Sequence, residues 1–90
     1  MKYLMEWWPR EPIEENMKKI YVIEAERHKK GVAITEGVSP IYFTLSDPHG
    51  IWIIEDDVKM SKISKYVKDY SNVAKIMITP LLTRDEMEKL

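Results

Sequence analysis

The stretch IYFTLSDPHGIWIIED (41–56) constrains the fold of this chain more than any other. Two runs of β-branched, aromatic and other apolar residues flank Asp47-Pro48-His49-Gly50, the pattern of two paired strands. Asp, Pro and Gly at the first, second and fourth positions suit a type I turn closing a three-residue hairpin loop with a glycine bulge. Strands are expected over 41–46 and 51–56, with His49 at the turn tip. Asp47 would then oppose Ile51, Leu45 would oppose Ile53, and Phe43 would oppose Glu55. One face would carry Ile41, Phe43, Leu45, Ile51 and Ile53, and the other Tyr42, Thr44, Ser46, Trp52 and Ile54. A metal role for His49 is the weaker reading, because metals need several convergent ligands and a supporting shell. Glu55, Asp56 and Asp57 do not converge with it at such a spacing, so no metal is expected.

The flanking segments supply the other elements. KYLMEWW (2–8) reads as a strand ending at Pro9. From Pro12 to HKKG the pattern is helical, about 12–30. Glu14 and Glu15 lie in its first turn, Lys29 and Lys30 at its end, and Gly31 is a left-handed cap. Asp56 or Asp57 can cap a second helix, about 58–72, whose apolar side is Met60, Ile63, Tyr66, Val67 and Tyr70. AKIMIT (74–79) is the last strand, closed by Pro80. Thr83 and Glu86 fit a capping box that starts a short tail helix over about 84–90. The order β-α-β-β-α-β within a single 90-residue domain implies an α+β, ferredoxin-like fold. Its four-stranded antiparallel sheet would carry two helices on one face, with the first and third strands central.

Composition narrows the function. Fourteen Lys and Arg against fifteen Asp and Glu give a net charge of −1, no electrostatic footprint for nucleic acid or anionic lipid. No apolar run approaches a membrane span, and MKYLMEWWPREP lacks the pattern of a secretory signal. The absence of cysteine excludes disulfides, thiolate nucleophiles and iron–sulfur ligation, so a cytoplasmic location is expected. Absence of glutamine beside abundant Lys and Glu leans towards a thermophilic source.

Helices can cover one side of the sheet only. The uncovered side is expected to show Leu4, Glu6, Trp8, Tyr42, Trp52, Ile54 and Met77, a patch that a monomer rarely leaves in water. Association with a second copy about a twofold axis would bury it, which predicts a homodimer.

These residues resemble the small proteins catalogued as domain of unknown function 3303, within the dimeric α/β-barrel superfamily. The likeness spans nearly the whole chain. It rests on KYLMEWW, on GIWIIEDD, on Tyr66 and Tyr70 four apart, and above all on IMITPLLTRDEM. The resemblance implies kinship with cofactor-independent monooxygenases, muconolactone-isomerase-like enzymes and small-molecule-sensing domains. It brings no established catalytic set.

Among residues that could carry chemistry, Glu24 falls inside the helix-1 arc set by Ile13, Met17, Ile20 and Tyr21, flanked by Ile23. It is a candidate catalytic acid or base in a pocket between helix and sheet, where burial would raise its pKa. The competing and favoured reading is that the helix overshoots the sheet, so that Glu24 reaches solvent or pairs with Arg27 or His28. Trp7, Tyr21, Tyr66 and Tyr70 are candidate ligand-binding residues lining an aromatic cavity, against a plain core. Glu6 is expected to pair with Lys75 across strands. The function reading is a cofactor-free dimeric protein binding a small apolar or aromatic molecule. Its alternatives are a non-catalytic sensing or interaction module with a filled core, and a cofactor-independent monooxygenase- or isomerase-like enzyme. RNA binding through the sheet is rejected, since Ile51 and Ile53 stand where exposed aromatics are needed. Heavy-metal binding lacks its cysteine pair, and acylphosphatase chemistry lacks its glycine-rich first loop.

Overall fold

A computed structural model describes residues 2–45 and 49–90. The elements run β1 (Lys2–Pro9), α1 (Ile13–Lys29), β2 (Tyr42–Phe43), β3 (Gly50–Ile54), α2 (Met60–Tyr70), β4 (Ala74–Leu81) and α3 (Arg84–Glu88). The sheet order β2-β3-β1-β4, with antiparallel pairings throughout, is the ferredoxin-like arrangement with β1 and β3 central. Two apolar clusters fill the space between helices and sheet. Trp7, Ile20, Tyr70, Val73 and Ala74 form one, and Met5, Trp52, Ile54 and Ile63 the other; Tyr66 and Ile76 pack against both.

The hairpin differs from its expected register. Phe43 opposes Gly50, not Glu55, and Tyr42 opposes Ile51. The shift is odd, and side chains alternate, so β3 is turned over. Trp52 (5% exposed) and Ile54 (0%) lie in the core under α2 instead of on the uncovered face, while Ile51 and Ile53 take that face. The cause is the connector before β2. The amide of Glu55 donates to Gly37 O (2.7 Å), Ser39 N–H donates to Ile53 O (2.9 Å), and Val38 pairs with Ile54. These residues occupy the outer edge of β3, so β2 is left with two residues. Between the Val38 and Tyr42 pairings the connector holds one residue more than β3, a bulge beside Pro40. The expected Asp47-Pro48 turn lies outside the described residues.

Smaller departures have local causes. Pro12 stands just before α1 in extended conformation rather than inside it, and Gly31 takes the expected left-handed conformation (φ 71°) after the helix. α2 begins after Lys59 with no side-chain cap, so neither Asp56 nor Asp57 caps it. β4 continues through Pro80 to Leu81, because an edge strand tolerates a residue without an N–H. Thr83 and Glu86 form the expected capping box of α3, with both reciprocal hydrogen bonds present. No described helix is long and apolar enough to cross a membrane.

Candidate functional site: an aromatic cavity beneath the helices

The buried stripe of α1 runs Asn16, Ile20, Arg27, with Met17 and Ile23 half-buried beside it. The expected arc was centred one residue off. At about 100° per residue, Tyr21 projects a quarter-turn from Ile20, and it is 62% exposed. Tyr21 is therefore no part of a ligand-binding wall. Ile13, at the helix start, is exposed as well.

Below α1 a cavity of about 110 Å³ opens between helices and sheet. Trp7 and Trp52 from the sheet, Tyr66 and Tyr70 from α2, and Ile20 from α1 wall it. Glu24, Arg27 and His28 also border it. Tyr66 and Tyr70 lie ring to ring at 4.5 Å, and Tyr66 meets Trp52 at 5.2 Å. Gly50 permits the position of Trp7. A Cβ there would fall 2.2 Å from Cε2 and Nε1 of the indole, so the ring rests on bare backbone. The indole N–H groups of Trp7 and Trp52 are buried and meet no acceptor among the described residues, an arrangement that is uncommon in folded proteins.

Arg27 is the main polar fixture. It is 4% exposed. Its guanidinium donates to Asp69 Oδ2 on α2 and to Val32 O (3.1 Å), and lies 5.3 Å from the Tyr66 ring centre and 5.7 Å from that of Tyr70. A nearly buried cation is stable only when paired and hydrogen-bonded in this way. Burial pushes the Tyr66 hydroxyl far above its ordinary pKa, with Tyr70 and Glu24 adding to the rise and Arg27 opposing it. Tyr70 is raised by the same desolvation. Both phenols are neutral at physiological pH, hydrogen-bonding groups rather than bases.

Glu24 is exposed, and the cation beside it is committed to Asp69. Glu24 is therefore not a buried acid but the solvent-facing carboxylate of the favoured reading, bordering the cavity, and Arg27 is not its partner. Trp7, Tyr66 and Tyr70 line the cavity as expected. Trp52, placed from sequence on the opposite face, joins them.

On the open face, Glu6, Trp8, Tyr42 and Met77 stand as expected, with Leu4, Ile51 and Ile53 among them. Glu6 does not pair with Lys75. Its Oε2 lies 2.9 Å from Nε2 of His49, and the Lys75 ammonium sits over the Trp8 ring at 5.3 Å. His49 is no turn tip: it is 8% exposed and stacks on Trp8 with ring centres 4.3 Å apart. Sequence reasoning missed both His49 and Arg27. Arg27 was within reach, since residues 16, 20, 23 and 27 share one helical stripe. His49 depends on the reversed register and had no local signal. Among the described residues no three His, Asp or Glu side chains converge as metal ligands. No protein-family model matches the chain, and no curated protein matches it.

Proposed function

We propose that this chain is a cytoplasmic, cofactor-free small-molecule-binding protein. Its ligand is an apolar or single-ring aromatic molecule held between helices and sheet, and the binding unit is a twofold dimer. The observation that carries this reading is the cavity walled by Trp7, Trp52, Tyr66 and Tyr70 with Glu24, Arg27 and His28 on its border. At about 110 Å³ it is below the ~300 Å³ of pockets for drug-sized ligands and nearer the ~150 Å³ that admits benzene. A volume that small, with Glu24 in solvent, favours sensing or binding over the alternative of a monooxygenase- or isomerase-like enzyme. The proposed kinship with domain of unknown function 3303 and the dimeric α/β barrels is supported by the ferredoxin-like fold.

Dimer formation rests on the open face. Leu4, Trp8, Tyr42, Ile51, Ile53 and Met77 share it, and Tyr42 and Met77 are exposed. A second copy meeting this face about a twofold axis withdraws the same strip from both chains. Titration with phenol, indole and benzene, followed by the indole ¹⁵N–¹H signals of Trp7 and Trp52, tests the pocket. Saturable shifts of both signals are expected, and their absence with all three probes would sink the ligand reading. Sedimentation equilibrium at micromolar concentration tests the dimer: a particle of 10.7 kDa would overturn it.

A further inference from the structure

The wall of the aromatic cavity holds donors with nothing to donate to. The indole N–H groups of Trp7 and Trp52 are buried and meet no acceptor among the described residues. Both residues wall the cavity, Trp7 at 8% exposure and Trp52 at 5%. They lie on the two central strands, Trp7 opposite Gly50 and Trp52 two residues further along β3, so the indoles are diagonal neighbours on the helix side of the sheet. Each ring does touch another. Phe43 meets the Trp7 indole edge to face at 5.8 Å, and Tyr66 lies tilted against Trp52 at 5.2 Å. A π face is at most a weak acceptor, and a buried donor left without a full hydrogen bond costs stability.

The rest of the wall narrows what could accept from these groups. The Arg27 guanidinium can only donate, and the buried Tyr70 phenol can do either, so the buried polar groups are biased towards donors. An anion would meet the Glu24 carboxylate at the border, while Arg27 is already neutralised by Asp69. A cation would bring no lone pair to the indoles and would face the Arg27 charge, 5.3 Å from the Tyr66 ring centre. A hydroxyl offers an acceptor but brings a proton that needs an acceptor of its own. A carbonyl oxygen has two lone pairs and no proton.

We infer that the ligand of this cavity is a small neutral carbonyl compound, a ketone or aldehyde of a single ring. Its oxygen accepts from the indole N–H groups that the sheet presents, while its carbon frame packs against Tyr66 and Ile20. A volume of about 110 Å³ limits that frame to one ring. This inference rests on the ligand reading above and adds the polar end which that reading leaves open.

The probes are cyclohexanone and methylenecyclohexane, which differ only by an oxygen exchanged for a CH₂ group, titrated into the ¹⁵N-labelled full chain. Cyclohexanone should bind about tenfold more tightly, the worth of one hydrogen bond at a buried donor. It should also move at least one indole proton downfield where the alkene does not. Trp7→Phe and Trp52→Phe each remove one donor. The ratio of the two affinities cancels packing losses common to both probes, and it should fall towards one in at least one variant. Equal affinities for the two probes overturn the carbonyl assignment and leave the apolar pocket standing, whereas binding of neither overturns both. A ketone preference that survives both indole variants, or that only Tyr70→Phe abolishes, also overturns the assignment, since the bond is then made elsewhere. Should either indole variant fail to fold by circular dichroism, the parent decides: a ketone-specific downfield shift of an indole proton upholds the assignment, and its absence overturns it.

Discussion

The two faces of one sheet make opposite use of similar residues. Under the helices, Met5, Trp7, Trp52 and Ile54 are sealed into two clusters around a small void. On the other side, Leu4, Trp8, Ile51 and Ile53 alternate with them along the same strands, and Trp8 stacks on a histidine hydrogen-bonded to Glu6. Both faces are apolar in composition. What separates them is the parity of one strand, set by how the connector docks on β3. Apolar content therefore does not say which side of a sheet is the core when both sides are rich in it.

Neighbouring isoleucines give the strongest way to break this comparison. Ile54→Ala should cost about 3–4 kcal/mol in chemical denaturation, as expected for a fully buried branched side chain. Ile53→Ala should leave the midpoint nearly unchanged while weakening self-association in sedimentation. Equal losses would put the two faces on a par and undo the assignment of register.

Gly50→Ala comes next. The added methyl meets the Trp7 indole at 2.2 Å, and a rigid ring on packed neighbours cannot yield, so about 2 kcal/mol is expected. Its thermal midpoint should fall by about 8–16 °C. A matching change at Gly31, where a Cβ meets nothing within 4 Å but φ is 71°, isolates backbone strain from steric conflict.

The phenols give a pH test. Tyr66 and Tyr70 have folded-state pKa values raised by burial, so each contributes stability in full below the unfolded value of about 10. Between that value and the folded one the unfolded chain has lost a proton that the native state retains, and stability falls as pH rises. Urea midpoints from pH 9 upward should decline more steeply for the parent than for Tyr66→Phe, with Tyr70→Phe intermediate. Parallel curves would mean that the cavity wall is wetter than its geometry indicates.

Thr83→Ala should have the smallest effect. Loss of the hydroxyl that accepts from Glu86 N–H (3.1 Å) should fray α3 in amide-exchange measurements while the global midpoint stays where it is. The carboxyl of Glu86, held below its ordinary range by hydrogen bonds from Thr83, should titrate closer to that range in the variant.

Much of the architecture was legible because its signals are local. Pro12, Gly31, the Thr83–Glu86 box and the apolar periodicity of 60–70 each act within a few residues, and β-α-β-β-α-β order leaves few ways to close a sheet. The hairpin register was not legible. It depends on Gly37, Val38 and Ser39 docking on β3, a contact between segments that no turn motif announces. That single displacement moved Trp52 into the cavity wall and His49 from a loop tip into a hydrogen-bonded network. Glu24 shows the converse: helical phase placed it beside the cavity, but not whether water reaches it there.

The margins of the sheet bear on how copies of the chain can meet. β2 offers two residues as an outer strand, and β4 presents Pro80, which has no amide proton to give. Neither rim is a good template for another strand, so lateral growth into ribbons or fibrils is discouraged at both ends. The face-to-face pairing proposed above therefore competes with no ready rim-to-rim route to open-ended polymers.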